Sequence, residues 1–220
     1  MERVATLKPE SVQLIVTDIP YGQEFLPEIP DLGAFARRVL VEGGLFVTYA
    51  GQYWLHKVLS GLGQYLTYRW CLASVWEGTG NVAHLGGWGE RHGRVVSKWK
   101  PILLFSKGDW SKAGEWFDVS IVQSKEKDWH DWQQPLQEVS NLVRYFSEPH
   151  DMVVDPLAGG FTTAMACLNL GRRCVACDVD ESAVIRGQDR LSACISCDID
   201  ESAMIRGQDR LGGKKPGLVG

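Results

Sequence analysis

An acid, a backbone carbonyl and a phenol follow one another at Asp18-Ile19-Pro20-Tyr21, where the apolar run Val12-Gln13-Leu14-Ile15-Val16-Thr17 ends. In open α/β sheets ligands settle at the carboxyl ends of strands, so the tetrapeptide stands where a site is expected. An amino group on a planar base needs this set of partners: two acceptors for its two hydrogens and a ring against its face. The same residues also suit a plain strand, an acidic cap and a Pro-Tyr turn. Alone, they leave both readings open.

A second unit downstream narrows the choice. Met152-Val153-Val154-Asp155 reads as a buried strand, Pro156-Leu157-Ala158-Gly159-Gly160 as a turn, and Phe161 to Leu168 as a helix ended by Asn169-Leu170-Gly171. Glycines in such a turn let a ligand approach the backbone, and the helix behind offers free N–H donors. A further apolar strand, Cys174-Val175-Ala176-Cys177, closes on Asp178. A carboxylate about twenty residues past a glycine turn is where nucleotide-binding α/β folds hold ribose hydroxyls. The spacing suits a nucleoside cofactor, whereas the dinucleotide pattern G-x-G-x-x-G fails at Phe161.

Together the two units resemble the S-adenosyl-L-methionine-dependent DNA amino-methyltransferases, which make N6-methyladenine or N4-methylcytosine. Asp18-Ile19-Pro20-Tyr21 is similar to the catalytic Asp-Pro-Pro-Tyr motif of that family, with Ile19 replacing the first proline. Asp155-Pro156-Leu157-Ala158-Gly159-Gly160-Phe161-Thr162-Thr163 resembles its cofactor loop, Asp-Pro-Phe-x-Gly-Ser-Gly-Thr-Thr. His130-Asp131-Trp132-Gln133-Gln134-Pro135 resembles its histidine…Lys-Pro segment, with Gln134 at the lysine. The catalytic motif precedes the cofactor motif, as in the circularly permuted β-type members, and the resemblance covers residues 4 to 191. It implies catalytic roles for Asp18, Ile19, Pro20 and Tyr21. It implies cofactor contacts from Asp155, Pro156, Ala158, Gly159, Gly160, Thr162, Asp178, Gln134 and Pro135.

The departures have physical readings. The second motif residue offers its backbone carbonyl, which any residue can do, so Ile19 gives up stiffness rather than an acceptor. Pro20 in any case pushes Ile19 towards extended conformations. Phe161 replaces a glycine near the cofactor, and a phenylalanine at a helix start is expected to pack inward.

The chain of 220 residues, 45% of them hydrophobic, can bury one α/β core. It has neither a run of eighteen apolar residues nor a signal-peptide pattern, so a cytoplasmic address without a membrane partner is expected. A net charge of -4 excludes a generally basic surface. Positive charge is local: Arg91, Arg94, Lys98 and Lys100 lie close together, with His92 among them and only Glu90 opposing. They follow the glycine-rich stretches Gly78-Thr79-Gly80-Asn81 and Gly86-Gly87-Trp88-Gly89. Such a loop suits phosphate contact and stacking on an unpaired base; an ordinary solvated loop is the competing reading. Of the nine tryptophans only Trp88 and Trp99 are functional candidates.

The elements that must carry these residues can be read coarsely. A short helix is expected over 2–8, the first strand over 12–17, a helix over 31–41 capped by Asp31, and a strand from Leu45 to Tyr49 opened by Gly43-Gly44. A helix over 53–62, strands over 65–76 and 100–106, and a helix over 134–146 follow. The alternation implies a Rossmann-like class I architecture: a mostly parallel sheet with helices on both faces, in permuted order. Only a short polar stretch separates residue 106 from His130, where the family carries its target-recognition region. Short or relaxed sequence specificity is therefore expected, supplemented by a separate specificity or restriction partner.

Residues 174–191 recur almost unchanged as 194–211, giving a tempting C-x2-C…C-x2-C pattern. Cysteines three apart on a strand face opposite sides of a sheet, so no metal site is expected, and reduced, buried thiols are the default. The domain reading is one catalytic unit over 1–191, a duplicated strand-helix unit over 192–211 and a disordered tail over 212–220. Cys194 to Cys197 would form an edge strand bringing Asp198 near the cofactor's adenine; a loosely attached duplicate is the alternative.

The implied reaction is methyl transfer to an exocyclic amine of DNA by a monomer or homodimer. Adenine N6 is favoured over cytosine N4 because an Asp leads the motif. Cytosine C5 chemistry needs a Pro-Cys nucleophile, and no Pro-Cys pair occurs. An RNA or protein-glutamine methyltransferase would carry Asn at position 18, and a noncatalytic binding relative is the remaining alternative.

Overall fold

The apolar run at the start of the chain forms β1 (Val12–Asp18), an interior strand buried along most of its length. A computed structural model describes residues 7–76, 81–84, 94–111, 115–122 and 134–194. The remaining sheet strands are β2 (Leu40–Tyr49), β3 (Thr67–Trp76), β6 (Trp99–Ser106), β7 (Val119–Val122), β8 (Met152–Asp155) and β9 (Arg173–Ala176). They assemble in the order β7-β3-β6-β2-β1-β8-β9. Two short strands, β4 (Asn81–His84) and β5 (Arg94–Ser97), pair separately as an antiparallel hairpin.

Direction decides where the site can be. β1 pairs in parallel with β2 and β8, β8 with β9, and β3 with β7, while β6 is antiparallel to both β2 and β3. Among these seven strands only β6 is reversed, so the mostly parallel sheet is as expected. The carboxyl ends of β1, β2, β3 and β8 share one rim with the amino end of β6. Asp18, Tyr49, Trp76, Lys100 and Asp155 all lie on that rim.

Helices cover both faces. α1 (Ile29–Val39) and α2 (Leu55–Leu62) pack on Ile15, Phe46, Leu103 and Phe105. α3 (Leu136–Phe146) and α4 (Thr162–Asn169) pack on Leu14, Val16, Val47, Leu104 and Val153. The odd-even split along β1, β2 and β6 follows from side chains alternating across a strand, and a parallel interior strand is apolar on both faces. α5 (Glu181–Cys194) joins α4 through Val184, Leu191 and Phe161.

Several expected boundaries move. α1 begins at Ile29 after Glu28, with Pro30 in its first turn, so Asp31 lies inside the helix rather than capping it. Proline suits the first helical turn because its missing N–H would be unpaired there anyway. β2 begins at Leu40 rather than Leu45 and runs through Gly43, whose φ of +74° only glycine adopts readily and whose N–H donates to the Lys107 carbonyl at 2.8 Å. α2 begins at Leu55, two residues later than expected. The stretch after residue 106, expected to be a polar connection, contains β7 on the β3 edge.

Cys174 packs with the α3–α4 side and Cys177 with the α1–α2 side, as the three-residue spacing requires. No cluster of metal-ligating residues occurs among the described residues. Cys194 is the last residue of α5 rather than the first of an edge strand. The rest of the duplicate and the tail, 195–220, lie outside the described residues, as do the glycines of 78–80 and 86–89 with Trp88, Arg91, His130 and the first part of the helix expected over 2–8, whose last two residues, Leu7 and Lys8, are not helical.

Candidate active site

The rim of β1 gives the site its acid. Asp18 is the last residue of the strand, and Pro20 turns the chain away from the sheet. Ile19 is 1% exposed and packs among the residues under α1 and α2. Its side chain anchors the turn, which accounts physically for an isoleucine where the resembled motif has proline: rigidity comes from packing instead of a ring.

Tyr21 is 37% exposed, yet its hydroxyl turns inward and donates to Asp18 Oδ1 at 2.5 Å. Gln134, just before α3, donates from Nε2 to Asp18 Oδ2 at 2.5 Å. Lys100 Nζ donates to Gln134 Oε1 at 3.2 Å. The ammonium lies 5.2 Å from the ring centre of Tyr21, 5.4 Å from that of Tyr49 and 5.8 Å from that of Trp76. Cations favour such places over aromatic faces. Burial pushes the Asp18 carboxyl above its ordinary value, opposed first by the Lys100 charge and then by the Tyr21 and Gln134 hydrogen bonds. Burial, then the Asp18 charge, pushes the Tyr21 phenol well up, so it stays a donor.

Behind this cluster Tyr49 donates to Glu138 Oε2 at 3.0 Å. Both are buried, and burial followed by the Glu138 charge pushes the Tyr49 phenol well up. Gln134, ahead of the extended Pro135, and Glu138, in the first turn of α3, thus both reach the rim, one at Asp18 and the other at Tyr49.

The second unit forms as its glycines require. β8 ends at Asp155, and the turn through Pro156, Leu157, Ala158, Gly159 and Gly160 leads into α4. Gly159 has φ +46°, and a methyl carbon built on it meets nothing within 4 Å. That face of the turn, ahead of the α4 N-terminus, lets a ligand approach the main chain closely. The Gly159 N–H donates to Asp178 Oδ2 at 2.8 Å, so the acid after β9 braces the turn across about twenty residues. Ala158 and Thr162 are buried beneath it.

Phe161, the bulky residue where the resembled loop has glycine, is 2% exposed with φ +58°. Its ring packs over Gly187 of α5, away from the open face of Gly159. Arg190, also on α5 and 5% exposed, donates to the Gly160 carbonyl at 2.6 Å and to Thr162 Oγ1 at 3.2 Å. α5 therefore holds the turn from below.

Asp155 is 4% exposed, accepts the Leu157 N–H at 3.2 Å and hydrogen-bonds the Thr163 hydroxyl. Burial raises it from 3.8 to about 6, with the Asp18 charge adding to the rise. That mutual influence places the two motif acids on one rim although they are far apart in sequence. Between those two values the folded protein holds a proton that the unfolded chain has released. The group's contribution is therefore best at low pH and is lost as pH climbs from 3.8 through about 6. Asp155→Asn is expected to raise unfolding free energy by about 2 kcal/mol near pH 7.5 and to give little gain near pH 4. Urea unfolding at the two pH values measures this, and a gain independent of pH would remove burial of charge as its cause.

Of the basic residues picked from the sequence, Lys98 is exposed, and Lys100 faces Asp18 and Gln134. Arg94 pairs with His84 in the hairpin, and Arg91 lies outside the described residues. Trp99 is 39% exposed on β6. Tyr49, Glu138, Trp76 and Arg190 escaped the sequence reading. Tyr49 and Trp76 end strands on the same rim as Asp18, so the strand-end rule applied to every strand would have found them. Glu138 lies in the first turn of α3, four positions after Gln134, and Arg190 carried no signal at all.

Comparison with known proteins gives this geometry a context. The family model for the N6_N4_Mtase DNA methylases matches residues 12–189. YubD of Escherichia coli K12, described as a methylase, is 34% identical over 64 residues, which span 29% of this chain and 28% of that protein. Among solved structures, TTHA0409 of Thermus thermophilus, described as a DNA modification methylase and solved with S-adenosyl-L-methionine, superposes with a TM-score of 0.73 at 20% identity, covering 94% of this chain and 95% of that one. The PvuII cytosine-N4-specific DNA methyltransferase gives a TM-score of 0.73 at 16% identity, covering 90% and 85%. The complex of M1.HpyAVI with S-adenosyl-L-methionine gives 0.66 at 22% identity, covering 85% and 91%. At these identities the structures bear on the fold. The family match carries the kinship.

Proposed function

The chain belongs to the N6_N4_Mtase family of DNA methylases, and from that premise we propose that it transfers a methyl group from S-adenosyl-L-methionine to the exocyclic amino group of a DNA base, adenine N6 before cytosine N4. The observation that carries the reading is that the Asp18–Tyr21 turn and the open Gly159 turn follow the carboxyl ends of two paired parallel strands, β1 and β8. The preference for adenine rests on the acid that leads the motif.

The cofactor, when bound, supplies a methyl group made transferable by a positive sulfonium. The turn from Pro156 to Gly160, Thr162 and Asp178 are the residues that would hold it, with Gln134 and Pro135 approaching from α3. An aromatic amine is a poor nucleophile because its lone pair is delocalised into the ring. Asp18 and the Ile19 carbonyl accept its two hydrogens, drawing the nitrogen towards tetrahedral geometry with the lone pair freed. Each Asp18 oxygen already accepts one hydrogen bond, but a carboxylate has about four lone-pair sites, so the amine adds to the array without dismantling it. Tyr21 offers its exposed ring to the base, which must leave the duplex stack at a cost of about a few kcal/mol. In-line placement and exclusion of water then supply the rate. The basic residues Arg91, Arg94 and Lys98 are assigned to phosphate contact on the strength of their charge.

The test is chemical. The full chain is incubated with labelled S-adenosyl-L-methionine and undermethylated DNA, which is then digested to nucleosides. Label in N6-methyladenine at many unrelated sites supports the reading, including its relaxed specificity. Label in N4-methylcytosine overturns the choice of base, and cofactor binding without transfer overturns the activity.

A further inference from the structure

We propose that Lys100 is a positioning residue of this site, delivering from the reversed strand β6 the positive charge that fixes Gln134 and Asp18 in one hydrogen-bonded array. The inference rests on the methyl-transfer reading for its purpose, but the array itself is a property of the free protein. Gln134 carries one acceptor and one donor end. Lys100 binds the acceptor end at 3.2 Å, which leaves Nε2 for Asp18. The carboxylate, which only accepts, selects the donor end of the amide, and Lys100 at the acceptor end holds Gln134 in that same orientation and ties it to β6.

The charge is also needed where it lies. Asp18 must be ionised to accept hydrogens from an amine, and burial works against that. The groups around it come from every element on the rim. Tyr21 and Gln134 donate to it, Tyr49 and Trp76 contribute rings, Asp155 on β8 adds negative charge, and Glu138 on α3 adds more behind Tyr49. Among the described residues, Lys100 is the cation that opposes those carboxylates at Asp18. Three aromatic faces, of Tyr21, Tyr49 and Trp76, lie within 5.8 Å of its ammonium, a setting that cations favour. The resembled Lys-Pro segment has its lysine where this chain has Gln134. In this chain the positive charge comes from β6 and lies one amide length from Asp18, beyond Gln134.

Relocating the charge tests the idea. The full-length protein, free of cofactor and DNA, is labelled with 13C at aspartate carboxyl carbons, and the Asp18 titration is followed in wild type, Lys100→Met, Lys100→Arg and Lys100→Met with Gln134→Lys. The midpoint is expected to rise by about one pH unit in Lys100→Met, to stay near wild type in Lys100→Arg, and to return towards wild type in the double variant. The acid limb of kcat/KM for methyl transfer is expected to move by the same amount and to return with it. An Asp18 midpoint unmoved by Lys100→Met, or a double variant as shifted as the single one, overturns the proposal. If Lys100→Met melts below the assay temperature, Lys100→Gln takes its place. Wild-type protein that shows the Asp18 behaviour but transfers no methyl group fails the methyl-transfer reading, not the array.

Discussion

Asp18→Ala is expected to lower methyl transfer by at least about a thousandfold while the protein stays folded and still binds S-adenosyl-L-methionine. In the proposed mechanism the acid draws the amine nitrogen towards tetrahedral geometry, and loss of a single preorganised group of this kind costs roughly a hundred- to a thousandfold. Asp18→Ala removes more than an acceptor, because the Tyr21 hydroxyl and the Gln134 amide lose their common partner. Tyr21→Phe removes one hydrogen bond and keeps the ring, so a milder loss of about tenfold is expected. Asp18→Asn keeps the shape but turns a donor towards the incoming amine, and should fall between the two. Single-turnover rates with labelled cofactor, alongside equilibrium cofactor binding, separate these effects. Asp18→Ala with more than about a tenth of wild-type rate would remove the acid from the mechanism.

The second large effect concerns Phe161. Replacing it by glycine restores the residue of the resembled loop and relieves a φ of +58°, yet the variant is expected to be less stable by about 2–4 kcal/mol. A fully buried aromatic ring is worth more than the local backbone strain it tolerates. The same ring dictates its neighbour: a methyl carbon built on Gly187 would run into it. Gly187→Ala should therefore destabilise the wild type. In the Phe161→Gly background it should gain up to about 1 kcal/mol, since alanine is the better helix former and the obstacle is gone. Urea unfolding of the four proteins forms a double-mutant cycle. Additive effects would show that the ring and the glycine do not make each other necessary.

That cycle also bears on the cofactor turn. Arg190 and Gly187 both lie on α5, and Arg190 grips the Gly160 carbonyl from there. A loosened α5 should weaken cofactor binding even though neither residue faces the open side of Gly159.

How much of this was written in the chain can be judged residue by residue. β1 and β8 could be read directly because their runs are apolar on both faces and end in an acid with a proline close behind, a pattern with few alternatives in any fold. The turn at Gly159 was legible because a ligand-approachable backbone demands glycine there. The parallel rim followed once strands alternated with helices. β7 was not legible: Val119, Ser120, Ile121 and Val122 are too few to show a period, and their pairing with β3 is a matter of register across the fold. The start of α1 was misplaced because Asp31 fits a cap and a first turn equally well in isolation.

The amino-acid sequence by itself determined which acid, which phenol and which glycine turn this protein has, because each is a local choice that chemistry constrains at its own position. Only the tertiary structure decided what surrounds them. Lys100 sat in a run of basic residues and looked like a phosphate contact, yet the reversal of β6 carries it to the Asp18 rim beneath three rings. Phe161 was expected to pack inward, but only the fold shows that α5 supplies the glycine against which its ring does so. In both cases the deciding neighbour comes from another element, and strand direction and helix packing are set by the whole core rather than by any short stretch of chain.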